Sequence, residues 1–180
     1  MCIRDSFRRG DTFDDTRASL ALTVSSFLQA AASKSNYAFE VAITAPYSDL
    51  VNTVEFRFDR RGLSSAIGKP RITTVQSIIG GEADVVVTML GKEWSLEDLR
   101  LAPPSYRQRA MMDFYETLYP REPEVLNVQL SRHKSMLVVI GNIGRLRWLR
   151  VGRDDRIAKT GERLLSLVEE GKAVYVNLRS

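Results

Sequence analysis

Residues 80–90 read Gly80-Gly81-Glu82-Ala83-Asp84-Val85-Val86-Val87-Thr88-Met89-Leu90, and this stretch decides the fold class. The two glycines let the chain reverse. Val85, Val86 and Val87 then run without the apolar–polar alternation of a strand that has one wet face. A strand apolar on both sides belongs inside a parallel sheet covered by helices on each face, so Asp84–Leu90 is expected to be a buried strand. Met136–Ile140 (Met-Leu-Val-Val-Ile) has the same character and is the longest purely apolar run of the chain. It is far shorter than the roughly 20 residues of a membrane-spanning helix.

The neighbouring elements follow from periodicity. Thr12 followed by Asp15 resembles a capping box, and Leu20, Val24, Phe27, Leu28 and Ala31 recur at helical spacing, which predicts a helix over about 14–34. Tyr37, Phe39, Val41 and Ile43 alternate with Ala38, Glu40, Ala42 and Thr44 as in a strand, which Ala45-Pro46 ends. Val54, Phe56 and Phe58 alternate with Glu55, Arg57 and Asp59 and predict a second strand, closed by Arg60-Arg61-Gly62. The short connection makes these two an antiparallel pair at one side of the sheet. Pro70 suits the first turn of a helix carrying Ile72, Val75, Ile78 and Ile79, which Gly80-Gly81 terminates.

Beyond the central strand, Ser95 is expected to cap a short helical piece that Pro103-Pro104 breaks. Ser105 starts a helix with Met111, Phe114, Tyr115 and Leu118 on one face, and Pro120 stops it. Leu126, Val128 and Leu130 suggest a strand, while Arg145–Val151 reads either as a strand or as a helical turn. Thr160 opens a helix with Leu164, Leu165 and Val168 that ends at Gly171, and Val174, Val176 and Leu178 form a terminal strand. The alternation of helices and strands, without repeats, predicts an α/β fold. The expected architecture is a single three-layer domain: a mostly parallel central sheet with an antiparallel edge pair and helices on both faces.

Composition limits the chemistry. The chain has 180 residues, 44% of them hydrophobic and 27% charged, which is ordinary for a globular protein and enough for a sizeable core. Cys2 and His133 are its only cysteine and histidine, so a thiol nucleophile paired with an imidazole, or a His/Cys metal cage, has nothing to space. No catalytic or metal-ligating residue is assigned, and no cofactor is expected. A lone cysteine allows no intrachain disulfide framework and suits a reducing cytoplasm. The first six residues, Met-Cys-Ile-Arg-Asp-Ser, resemble translated adaptor sequence. They are expected to be a non-native leader, with residues 7–180 forming the α/β domain and an upstream portion missing.

The net charge of +4 is unevenly placed. Residues 1–120 hold 14 Lys/Arg against 15 Asp/Glu, whereas residues 121–180 hold 12 against 7. Within that last third Arg145, Arg147, Arg150 and Arg153 interleave with Trp148, followed by Arg156. Guanidinium forks beside an aromatic plane can clamp phosphates and stack a base of a single-stranded nucleic acid; they also suit a solvated face, and Asp154 and Asp155 offset part of the charge. Gly141-Asn142-Ile143-Gly144 follows an apolar strand, where main-chain amides could face a phosphate. A plain turn accounts for the same glycines, and the dinucleotide fingerprint does not fit. His133, between Arg132 and Lys134, is expected in a surface turn joining two strands. The acid pairs Asp14–Asp15 and Glu82–Asp84 lack a third partner for Mg²⁺.

Three resemblances accompany these readings. Gly80–Val87 is similar to the hinge-side pattern in lobes of type 2 periplasmic binding proteins, and Gly141–Gly144 to the loop of single-strand-binding KH modules. Phe13–Ala32, Tyr37–Thr44, Leu137–Ile140 and Ala173–Leu178 together resemble, in element order, the von Willebrand factor A-like domain that closes a widespread bacterial family of unassigned function. That resemblance implies a non-catalytic interaction domain presenting the loops at the carboxyl ends of its strands to a protein partner. It also implies Mg²⁺ only through an Asp-x-Ser-x-Ser motif, which does not occur in this sequence and would have to lie upstream of Phe7. The alternatives are a nucleic-acid-binding domain using Arg145–Arg156 and a small phosphate-ester enzyme built on Gly141–Gly144.

Overall fold

Val85–Val87 lie in the middle of a four-stranded sheet. The structure, a computed structural model, describes residues 13–34, 39–61, 69–91, 119, 122–141, 143–147 and 155–176. Strand β3 (Ala83–Met89) is flanked by β1 (Val41–Ala45) on one side and β4 (His133–Ile140) on the other. Strand β2 (Arg71–Thr74) lies outside β1, so the order is β2-β1-β3-β4. Every pairing is parallel, with Ile43 opposite both Ile72 and Val87, and Val87 opposite Val138.

The alternation of side chains along these strands sends them to two covered faces. On the first, Val41, Ile43, Ala45, Val85, Val87, Met89 and Ile140 form one core with helices α1 (Phe13–Lys34) and α2 (Ser48–Arg60). On the second, Ala42, Val86 and Leu137 meet Ile78 and Val128. Val139 continues that face into a cluster with Val125, Leu126, Leu146, Ile157 and Leu164, from α3 (Pro123–Ser131), α4 (Ile143–Leu146) and α5 (Arg156–Glu169). The result is the expected α/β architecture, a parallel sheet with helices on both sides.

Helix α1 is buried without a break from Arg17 to Thr23. The polar groups on this stretch therefore need protein partners. Thr23 donates its hydroxyl to the Ser19 carbonyl at 2.8 Å, and Ser19 Oγ accepts from Arg57 of α2 at 2.8 Å. Arg57 also pairs with Asp15 at 2.9 Å, so a polar seam runs beside the apolar α1–α2 contact.

Several expectations are corrected. The segment expected to be the second strand, Val54–Phe58, is helical, and no antiparallel edge pair is present among the described residues. Its alternating pattern also fits a helix: Leu50, Val54 and Phe58 fall four apart and are buried, while Phe56 is 59% exposed. Pro70 precedes a strand rather than opening a helix. The β-branched run Ile72-Thr73-Thr74 lines the edge of β1, and only Gln76–Ile78 winds, as one 3-10 turn. Leu126, Val128 and Leu130 belong to α3, not to a strand, with Pro123 in its first turn and Val125, Leu126 and Gln129 inward. His133 begins β4 instead of sitting in a turn between strands.

Helix α5 starts at Arg156, four residues before Thr160, whose hydroxyl donates to the Arg156 carbonyl at 3.0 Å. Residues 173–176 form no strand, and Val174 and Val176 are exposed. Of the expected capping box, Thr12 lies outside the described residues, and Asp15 sits in the helix as the partner of Arg57. The leader at 1–6 and the elements expected from Ser95 to Leu118 likewise fall outside them. Arg145–Val151 resolves in part: Arg145 and Leu146 lie in the turn of α4, and residues 148–151 are outside the described set.

Candidate functional site

Parallel strands all deliver their outgoing loops to the same end of the sheet. From β1 the chain turns to β2 on one side, and β4 lies on the other side of β3, so the carboxyl ends of the adjacent β1 and β3 lie where the strand order reverses. Open α/β sheets bind ligands in the crevice at such a point. Here that point is bounded by Ala45 at the end of β1, by Pro46 and Tyr47 after it, and by Leu90 and Gly91 after β3.

Arg17 reaches this point from α1. Its Nη1 donates to the carbonyl of Leu90 and, at 2.9 Å, to that of Gly91, while Nη2 donates to the Tyr47 hydroxyl at 3.0 Å. The side chain is buried, with only 3% of its surface exposed. A buried guanidinium must find acceptors for its donors, and the two loops supply them. Arg17 thus ties the loop after β1 to the loop after β3.

A second polar chain lies just beneath, on the opposite face of the sheet. Register brings Thr44 beside Thr88, and their hydroxyls are 2.9 Å apart. Gln129, on the inward side of α3, donates through Nε2 to Thr88 Oγ1 at 3.1 Å and to the Met89 carbonyl at 2.9 Å. Its Oε1 accepts from the Tyr119 hydroxyl at 2.7 Å, and that hydroxyl accepts the Gly91 N–H at 2.9 Å. All four side chains are buried. None is a carboxylate, imidazole or thiol, so the chain fixes the shape of the rim and carries no acid–base group that titrates near neutral pH.

The sequence-predicted site residues do not meet at this end of β1 and β3. Gly141 is exposed at the carboxyl end of β4, Gly144 and Arg145 lie in the turn of α4, and Asn142 is outside the described residues. Arg147 is exposed and lines a groove of about 420 Å³ with Glu162, Leu165, Ser166 and Tyr175. Glu169 lines it as well, so this part of the basic stretch faces acids. Trp148, Arg150 and Arg153 lie outside the described residues, and Arg156 is exposed at the start of α5.

Of the acid pairs, Asp84 accepts the Glu40 N–H at 2.9 Å at the opposite end of the sheet, and Asp15 is taken by Arg57. Among the described residues no group of three or more His, Cys, Asp or Glu lies where it could hold a metal ion. Arg17, Gln129 and Tyr119 were not singled out from the sequence. Gln129 shows a signal once 123–131 is taken as a helix, since it falls four residues after Val125 and three after Leu126 on the apolar stripe. Arg17 lies at the end of a buried run with nothing in its spacing to mark it. No family model matches the chain, and no match was found among the curated proteins.

Proposed function

We propose that this chain is a non-catalytic interaction domain whose working surface is the rim at the carboxyl ends of its strands, presented to a protein partner. The supporting observation is the bracing of that rim. Arg17, Tyr47, Thr88, Gln129 and Tyr119 hydrogen-bond to one another or to the main chain of the rim loops. Groups so committed preorganise a surface, and preorganisation lowers the entropy lost on association. The parallel β1–β2 pair departs from the antiparallel pair in the von Willebrand factor A-like resemblance. The proposal therefore rests on the rim itself.

Photo-crosslinking side chains installed at the two ends of the sheet test it. Asp49 and Ser77 are exposed beside the carboxyl ends of β1 and β2; Lys34 and Glu82 are exposed at the opposite end. The reading expects one discrete protein adduct from the Asp49 and Ser77 variants in the native host and none from the other two. Equal labelling from both ends overturns it, as does catalytic turnover of a phosphate ester.

The second reading is nucleic-acid binding through Arg145–Arg156, favoured by the exposure of Arg147 and Arg156 on the α5 side. Four phosphate contacts would give a slope of about −3 in log affinity against log salt for a single strand. Absent or salt-insensitive binding of a labelled oligonucleotide dismisses it.

A further inference from the structure

Val174, Tyr175 and Val176 are 90, 55 and 66% exposed. Single exposed apolar side chains are common, but three in succession mark surface that is covered in some other state. In sequence the alternation continues to Leu178, the period of a strand with one apolar face.

The chain direction suits one place for that strand. Helix α5 ends in a turn in which Gly171 N–H donates to the Val168 carbonyl at 3.0 Å and Ala173 N–H to the Leu167 carbonyl at 3.0 Å. Gly171 has φ +69°, the left-handed conformation that closes a helix and reverses the chain. After it, Tyr175 lies back along α5, where it lines one groove with Glu162, Leu165 and Arg147. Arg147 follows the carboxyl end of β4, so the segment travels in the same direction as β4.

Among the described residues β4 pairs with β3 alone. Among these residues its outer side is a sheet edge, a row of main-chain donors and acceptors ready for another strand. Met136 on this strand is 45% exposed. Handedness agrees as well. The step from β3 to β4 passes through α3, and α5 packs in the same cluster as α3, on the same face. A further step from β4 through α5 to a strand on its outer side repeats the hand of the β3–α3–β4 unit, as parallel crossovers require. With Tyr175 turned toward α5, side-chain alternation puts Val174 and Val176 on the other face, that of Met136 and Val138.

We propose that Ala173–Val176 docks as a fifth parallel strand on the outer edge of β4, completing the order β2-β1-β3-β4-β5. The described conformation is its undocked state. Docking covers Val174, Val176 and Met136, satisfies the edge of β4 and straps α5 to the sheet. The occupant is this chain's own segment, because a turn of four residues already delivers it alongside α5, at high effective concentration.

Hydrogen–deuterium exchange of the full chain, compared with Val176→Lys, tests the proposal. Docking predicts that amides 174–176 exchange at least ~10-fold slower than unstructured-chain rates, equally at low and high protein concentration. Val176→Lys places a charge on the covered face and should return them to unstructured-chain rates, leaving the amides of β1 and β3 as slow as before. Exchange of 174–176 at unstructured-chain rates in the unaltered protein overturns the proposal. Protection that grows with protein concentration also overturns it, by assigning the edge to a second copy. Protection that survives Val176→Lys overturns it too, by removing the apolar face from the contact.

Discussion

Replacing Gln129 with leucine tests the bracing of the rim most directly. The amide sits fully inside the molecule and makes three hydrogen bonds, to Thr88 Oγ1, the Met89 carbonyl and the Tyr119 hydroxyl. Leucine keeps most of the volume and removes all three. Each intramolecular bond contributes about 1 kcal/mol net, and a buried group that loses its partner costs about 1–3 kcal/mol. Burying an extra apolar group offsets roughly 1 kcal/mol of this. The balance is a destabilisation of about 2–4 kcal/mol. For a chain of this size that lowers Tm by roughly 4–16 °C, at about 2–4 °C per kcal/mol.

Equilibrium urea unfolding should show a lower midpoint with an unchanged slope, since the surface exposed on unfolding stays nearly the same. The control is Thr44→Val with Thr88→Val. It removes both hydroxyls of the 2.9 Å pair and leaves neither threonine position with an unmatched hydroxyl, although Gln129 Nε2 keeps only the Met89 carbonyl. Its cost should be about 1 kcal/mol. A Gln129→Leu protein within 1 kcal/mol of the parent, or one more stable than it, would refute the claim that this chain of bonds holds the rim.

Arg17→Met, which keeps the apolar stem, should destabilise by about 2–4 kcal/mol because the Leu90 and Gly91 carbonyls lose a charged donor; chemical denaturation measures this, and faster exchange at the Gly91 amide should accompany it. Gly161→Ala should destabilise by up to about 2 kcal/mol by thermal melting. An added Cβ would lie 2.8 Å from both the Arg147 amide nitrogen and Leu146 Cβ, and overpacking of about 1–3 kcal/mol outweighs the roughly 1 kcal/mol gain in helix propensity. Hydrogen bonds from Lys172 and then Arg163 hold the Glu170 carboxyl below its ordinary value. Its contribution to the turn after α5 is therefore present above the ordinary carboxylate range and lost as pH falls through the lowered folded value. A carboxylate NMR titration should place the Glu170 midpoint lower in the parent than in Lys172→Ala.

The elements legible in the sequence are those whose pattern admits one reading. Valines in an unbroken run, and Met136–Ile140, read as strands, and both are adjacent strands of the sheet; only the valine run is covered on both sides, since β4 is the outermost strand among the described residues and Met136 is 45% exposed. The long helix expected over about 14–34 and found at 13–34 is equally plain, because a stripe repeated over about three turns leaves no competing period. Two readings compete where about five residues satisfy two periods at once. Val54-Glu55-Phe56-Arg57-Phe58 alternates like a strand, yet Leu50, Val54 and Phe58 share one helical face. Val125–Leu130 has the same ambiguity. Local pattern is silent there because the deciding partner, the core beneath the helix, is distant in the chain.

The candidate site was the least legible part. Arg17 reaches carbonyls 73 and 74 residues away, and Gln129 reaches main chain 40 residues away. Such bonds leave no spacing to read, since a polar side chain in an apolar context looks the same whether it is solvated or buried against a partner. The amino-acid order by itself determined that this protein is a helix-covered sheet with its valine run at the centre, because the hydrophobic period is a property of each segment alone. Tertiary structure decided that the strands all run one way, which ambiguous segments became helices, and that Arg17, Gln129 and Tyr119 meet at the rim. Each of those outcomes depends on which distant surfaces bury each other, a choice the chain makes only when it closes on itself.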